Sequence, residues 1–361
     1  MARVVSLYRH PIKGLTPEHR DSLTVHPDGR VAGDRVLAFR FADAAEPEHR
    51  DGVDHWPKAK GLALQDFPGL AALHTRYDDE TRRIRIEHAG ATLVEADLDP
   101  QGRRDLADAL SEFVLATPEG RRLRRPGRLP LVLVGDGQTP RFHDRARGYV
   151  SVHVRGSVRA LGEALGMGID DRRFRSNIVI DDAAAWQELA WTGEVCIGDL
   201  TFQTAGPIVR CLATHANPDT GVRDAKVLTT LTGALAQQEP TLGRLLLPGW
   251  TPSDDGSTPG GGVIHVGDEV RAHHVARADP REHHGRRREQ GRRIHGEAAQ
   301  EQPQSHQRDR GDGHPLQTES ALEQRREQTE DREAHRWRGA DQADDDRRDR
   351  EVRGDMIDHR G

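Results

Sequence analysis

The chain has 361 residues, 34% hydrophobic and 31% charged, with a formal net charge of −6 and two cysteines. Two cysteines exclude a disulfide framework and any four-cysteine iron–sulfur or zinc site, and the negative charge gives no general attraction to nucleic acid or anionic lipid. No apolar run approaches the roughly 18 residues of a membrane span. The N-terminus has no secretory apolar stretch, so a soluble cytoplasmic setting is expected. The averages conceal a break. Residues 271–361 hold 20 Arg and 21 Asp+Glu but no Lys, Phe, Tyr or Cys. Such a segment cannot bury a core, and two readings stand for it. One is a disordered polyampholyte tail; the other is an out-of-frame extension of a GC-rich gene. The folded protein is expected within residues 1–270.

The opening quarter reads as β. VVSLY (4–8) and VLAFRF (36–41) are strand-like, with turn chemistry between them at HPDGR (26–30). Residues 44–60, rich in Pro, Asp, Glu and His, are expected to form a loop. RIRIEHAGATLVEA (83–96) predicts a hairpin turned at Ala89-Gly90. Leu106, Leu110, Phe113 and Val114 recur at helical spacing, predicting a helix from about Pro100 to Ala116. LPLVLVGD (129–136) reads as a buried strand. Ser157 is expected to cap a helix carrying Val158, Leu161 and Leu165 on one face and stopped by Gly166. RFRSNIVID (173–181), VRCLATH (209–215) and GGGVIHVGDEV (260–270) are expected strands, and EVCIGDLTFQ (194–203) a hairpin at Gly198-Asp199. Many short strands and a few helices give an α+β, β-rich, barrel-like architecture. No βαβ rhythm, GxGxxG or GxxxxGK[ST] points to a nucleotide fold.

Two segments of the second half carry chemistry. In GPIVRCLATHANPDTGVRD (206–224) Arg210 and Cys211 stand side by side before a turn-rich loop. In RFRSNIVID, Arg173, Arg175 and Asn177 alternate, which on a strand puts them on one side. Arginines beside an amide suit an oxyanion or phosphate, and cationic neighbours favour the thiolate that ligates soft metals. By residue type alone Cys211 is more often a small buried hydrophobe.

These segments, with LYRHPIKGL (7–15) and GDRVLAFRF (33–41), resemble the MOSC domain family, named for the C-terminus of molybdenum cofactor sulfurases. The front resembles the N-terminal β-barrel region that precedes the domain in the branch of the mitochondrial amidoxime-reducing component and its bacterial relatives. The resemblance implies a β-barrel region over 1–125, a MOSC domain over 126–270 and the tail over 271–361. It implies a molybdenum cofactor whose metal is held by Cys211. Lys13, Arg35, Ser157, Arg175, Asn177 and Arg210 match family positions that contact the cofactor, the cations suiting an anionic pterin phosphate. The implied activity is reduction of N-hydroxylated small molecules, fed by a separate electron-transfer protein because no iron–sulfur cluster can be built here.

Val209 stands where eukaryotic relatives have a serine, two positions before the cysteine. Arg210 and Cys211 would also face opposite ways on a regular strand, so a bulge or strand end is predicted there. The rival reading is a sulfur or cofactor carrier with a persulfide on Cys211. A pyridoxal phosphate role lacks a Schiff-base lysine motif among only four lysines. Zinc lacks a second ligand pair beside Cys211 and His215, and a single-stranded nucleic-acid barrel is disfavoured by 4% aromatics.

Overall fold

The computed structural model describes residues 1–50, 53–144, 149–250 and 260–274; the tail expected from residue 271 falls, after its first four residues, outside the described residues. Along the first half run β1 (Arg3–Arg9), β2 (Glu18–Arg20), β3 (Ser22–Val25), β4 (Ala38–Arg40), β5 (Glu48–Arg50), β6 (Val53–His55), β7 (Leu73–Asp78), β8 (Arg83–His88) and β9 (Ala91–Asp97). Helices α1 (Pro100–Ala116) and α2 (Gly120–Leu123) follow, then β10 (Val132–Val134), β11 (Val150–Val154), α3 (Arg155–Leu165) and β12 (Ile178–Asp181). The remainder is β13 (Trp191–Ile197), β14 (Leu200–Val209), α4 (Val227–Thr232), β15 (Thr241–Pro248), β16 (Gly262–His265) and β17 (Val270–His274).

Eight strands form the main sheet in the order β17-β13-β14-β15-β11-β12-β1-β2. The two ends of the described chain meet in it and beside it: β1 pairs with β12, and β3 pairs with β16. Strands β7, β8 and β9 make a separate meander. The whole is a strand-rich half-barrel with four α-helices among the described residues, an α+β fold.

Helix α1 shows why the local signals worked. Asp99 caps it by accepting Gly102 N–H at 2.7 Å, Pro100 opens its first turn, and Leu106, Leu110 and Val114 are buried. Each such side chain contributes about 1.5–3 kcal/mol by leaving water. They join Phe39, Leu73 and Ile84 in one core. A second core, with Val4, Val152, Phe202 and Leu246, lies on the main sheet. A third lies between α3 and α4.

Five expectations are corrected. Strands β11 and β12 are parallel and joined through α3, so one βαβ unit is present. The segment 173–181 is a strand only from Ile178; Arg173 sits in a one-turn 3-10 helix, Asp171–Phe174, and Arg175 is left-handed at φ 52°. The segment 209–215 ends β14 at Val209 and turns into a 3-10 helix at Leu212–His215. Within 44–60, β5 and β6 form a small hairpin. The expected last strand is two, β16 and β17.

Candidate functional site

Strand β14 loses register twice against β15, between Thr204 and Gly206 and between Pro207 and Val209. It then stops, leaving Arg210 and Cys211 in the irregular step before the 3-10 turn. This strand end removes the alternation that would send the two side chains apart. The Cys211 carbonyl closes the turn by accepting Thr214 N–H at 3.1 Å and Oγ1 at 3.0 Å. Arg210 runs inward. Its Nε donates to Leu242 O at 2.7 Å, its Nη1 to Phe174 O at 2.9 Å, and the guanidinium lies 5.4 Å over the Phe174 ring. Burial lowers its pKa to about 9, against the opposing pull of Cys211 and Glu188.

A second set of cations comes from the loops that flank the barrel. Arg35, left-handed at φ 52°, donates from Nη2 to the carbonyl of Arg175, 3.3 Å away, and pairs through Nη1 with Asp34. Arg175 donates from Nη1 to Leu15 O. Two non-glycine residues in left-handed conformation, touching each other, each cost of order 1 kcal/mol, a strain that needs surrounding structure to hold it. Burial lowers Arg175 to about 10, with Arg35 adding to the fall while Asp144, Asp34 and Cys211 oppose it. Cys211 is therefore coupled electrostatically to both Arg175 and Arg210. Lys13 is buried, pairs with Asp144 at 2.7 Å and is depressed by burial, with Lys58 and Arg35 adding to the effect.

Asp34 anchors this group. Its carboxylate accepts the His10 backbone N–H at 2.7 Å and faces His10 Nδ1 at 3.3 Å and His143 Nε2 at 3.5 Å. Burial works to raise its pKa, but Arg35 and the hydrogen bonds of His10 and His143 hold it well below the usual carboxylate range. His10 is driven down to about 3 by burial and Arg175, so it is neutral. Lys13, Arg35, Arg175, Arg210 and Cys211 are thus one electrostatically connected cluster.

Comparison with known proteins agrees with the order of these parts. Residues 1–113 match the MOSC N-terminal beta barrel domain and residues 139–271 the MOSC domain. The chain belongs to the MOSC domain family. Molybdenum cofactor sulfurases of Drosophila grimshawi and Drosophila mojavensis are 46% and 43% identical over 79 residues, which is 21% of this chain. The chain spans about 10% of the length of these curated relatives. The solved structure of the YUAD protein from Bacillus subtilis aligns over 76% of this chain and 97% of that one. At 9% identity and a TM-score of 0.32 the likeness carries no argument.

Two MOSC positions expected at the cofactor are engaged elsewhere. Ser157 is not the N-cap of α3, which is Val154; it lies inside the first turn. Its Oγ donates to Glu188 Oε2 at 2.9 Å and accepts Trp186 N–H at 2.7 Å. Asn177 is fully buried; its Oδ1 accepts from Ser151 N and Oγ, and its Nδ2 donates to Tyr8 O. Both act here as ties between elements. Arg173 also points away, to His215 O and Asp224. Asp34, His10 and Asp144 were not singled out from the sequence; the GDR wording at 33–35 held the only signal, an acid beside the chosen arginine.

The MOSC family is associated with the molybdenum cofactor, and the residues present fit it. Among the described residues no three His, Cys, Asp or Glu side chains converge to cage a metal. A metal on Cys211 would then draw its other ligands from a non-protein group, and the arginines coupled to Cys211 suit a group carrying a phosphate. No described helix is long and apolar enough to cross a membrane.

Proposed function

We propose that this protein is a molybdenum-dependent reductase of N-hydroxylated compounds in which Cys211 ligates the metal. The supporting observation is the strand end at Val209, which leaves a thiol whose charge is felt by both Arg175 and the buried Arg210. Cationic surroundings favour the thiolate, the form that binds metal. Lys13 and Arg35, with Arg175, would take the anionic phosphate of the pterin, while Asp34 fixes Arg35, and burial with Arg175 keeps His10 neutral against the pull of Asp34. When bound, the cofactor supplies the two-electron redox chemistry that removes oxygen from the substrate. The chain supplies the ligand, the charge and the orientation. Electrons would come from a separate protein, since two cysteines hold no iron–sulfur cluster.

A second reading has its own support in the sulfurase relatives: a carrier holding sulfur as a persulfide on Cys211. The two readings part on turnover. The full chain, produced in a host that makes the cofactor and supplied with a reduced dye, is expected to convert an N-hydroxylated amidine to the amidine. The variant Cys211→Ser is expected to lose that activity. Absence of turnover in the wild type, with a persulfide on Cys211 by mass spectrometry, would favour the carrier.

A further inference from the structure

Within reach of the Arg210 charge lies a buried acid that the proposed reaction does not use. Glu188 is 0% exposed in the 3-10 turn Gln187–Ala190. One carboxylate oxygen accepts from Ser157; the other, Oε1, makes no hydrogen bond. Arg210 ends in an equally unpartnered buried atom, Nη2. Gly243 marks where the two approach. A methyl group on its α-carbon would stand 2.8 Å from Arg210 Nη2 and 3.3 Å from His153 Cβ, and the Gly243 N–H faces the Glu188 carboxylate. Glu188 and Arg210 form no direct ion pair, yet the Glu188 charge raises the Arg210 pKa, as an opposite charge requires.

We propose that Glu188 is the positioning residue of the Arg210 guanidinium, and that anion binding beside Cys211 draws a proton onto Glu188. The proposal rests on the reading of the Cys211 cluster as an anion site. An anion bound beside Cys211 competes with Glu188 for the Arg210 charge that both feel, so the acid form of Glu188 accompanies the bound state. Burial raises Glu188 to about 7, while Ser157 and the N–H groups of Glu188, Val154 and Gly243 work against the rise. Ser157 of α3 donates to Glu188, and Arg210 after β14 feels its charge; nearby, Arg244 of β15 donates from Nη1 to Leu189 O, and the His153 ring of β11 is turned to Asp171. The histidines of the region do not share its range. His153 and His143 are lowered by burial, His10 to about 3 and His215 to about 4.

The test uses sulfate, a phosphate stand-in of constant charge across the neutral range, titrated calorimetrically into the cofactor-free full chain. Affinity in the wild type is expected to fall roughly three- to tenfold between about pH 6 and pH 8. Glu188→Gln, which keeps the shape and the bond to Ser157, is expected to bind with no such slope. His153→Gln is expected to retain the slope. An equal slope in Glu188→Gln, or none in the wild type, overturns the proposal and leaves the anion site standing. No sulfate binding at any pH overturns the anion site and the proposal with it. If Glu188→Gln does not fold, binding heats of the wild type in two buffers of different ionisation enthalpy decide: proton uptake supports the proposal, and zero uptake overturns it.

Discussion

Asp34 and Glu188 are both 0% exposed carboxylates, the first paired with Arg35 and the second felt by Arg210, and their surroundings treat them in opposite ways. Asp34 is met by Arg35, two histidines and a backbone N–H, and stays ionised. Glu188 meets one hydroxyl and backbone N–H groups but no cation in direct contact, and burial raises its pKa to about 7. Burial alone therefore does not fix the charge of a buried acid; the partners within reach do. The Asp34 side is organised to hold fixed charge, which suits a permanent anion. The Glu188 side holds a charge that can change.

The largest way to break this contrast is Asp34→Asn. It leaves Arg35 without its counter-charge, and a loss of about 3–5 kcal/mol in unfolding free energy is expected by denaturant titration. The pH dependence has a definite sign. A carboxyl held below its unfolded value stabilises fully above about pH 4 and loses that contribution as pH falls through the folded value. The wild type should therefore lose stability in acid that Asp34→Asn no longer has to lose.

Glu188→Gln is expected to act the other way. An acid whose folded pKa is raised binds more protons folded than unfolded, so its stabilisation is full below about pH 4 and fades as pH rises to about 7. Above neutrality Glu188→Gln is expected to be more stable than the wild type by about 1–2 kcal/mol, measured by thermal unfolding across pH. Ser157→Ala should have the smallest effect, about 1 kcal/mol of destabilisation, since it removes one hydroxyl shared by Glu188 and Trp186 N–H. If it lowered rather than raised the Glu188 titration point, the hydrogen-bond account of that acid would be wrong.

The parts legible in the sequence are those set by local pattern. The apolar spacing and Asp-Pro start of α1, the Ala89-Gly90 and Gly198 turns, and the Gly166 stop at φ 70° all coincide with elements of the structure. What escaped was set by distant partners. Strand β12 begins late because Arg175 turns left-handed to reach Leu15 and Arg35. Ser157 fails to cap because Glu188, about thirty residues on, takes its hydroxyl. The parallel β11–β12 pair depends on β1 arriving from the N-terminus, which no window of sequence displays. The thiol and its two arginines were legible because three chemically distinctive residues stand in two short segments. Their compensating acids were not, because each lies on another loop.

The central claim is that Cys211, coupled to Arg175 and Arg210, is the metal ligand. Molybdenum content per chain, measured by elemental analysis on wild type and Cys211→Ser produced side by side in the same cofactor-making host, tests it most directly. The account predicts molybdenum near one per chain in the wild type and its loss in a variant that stays folded. Equal molybdenum in both proteins would contradict it.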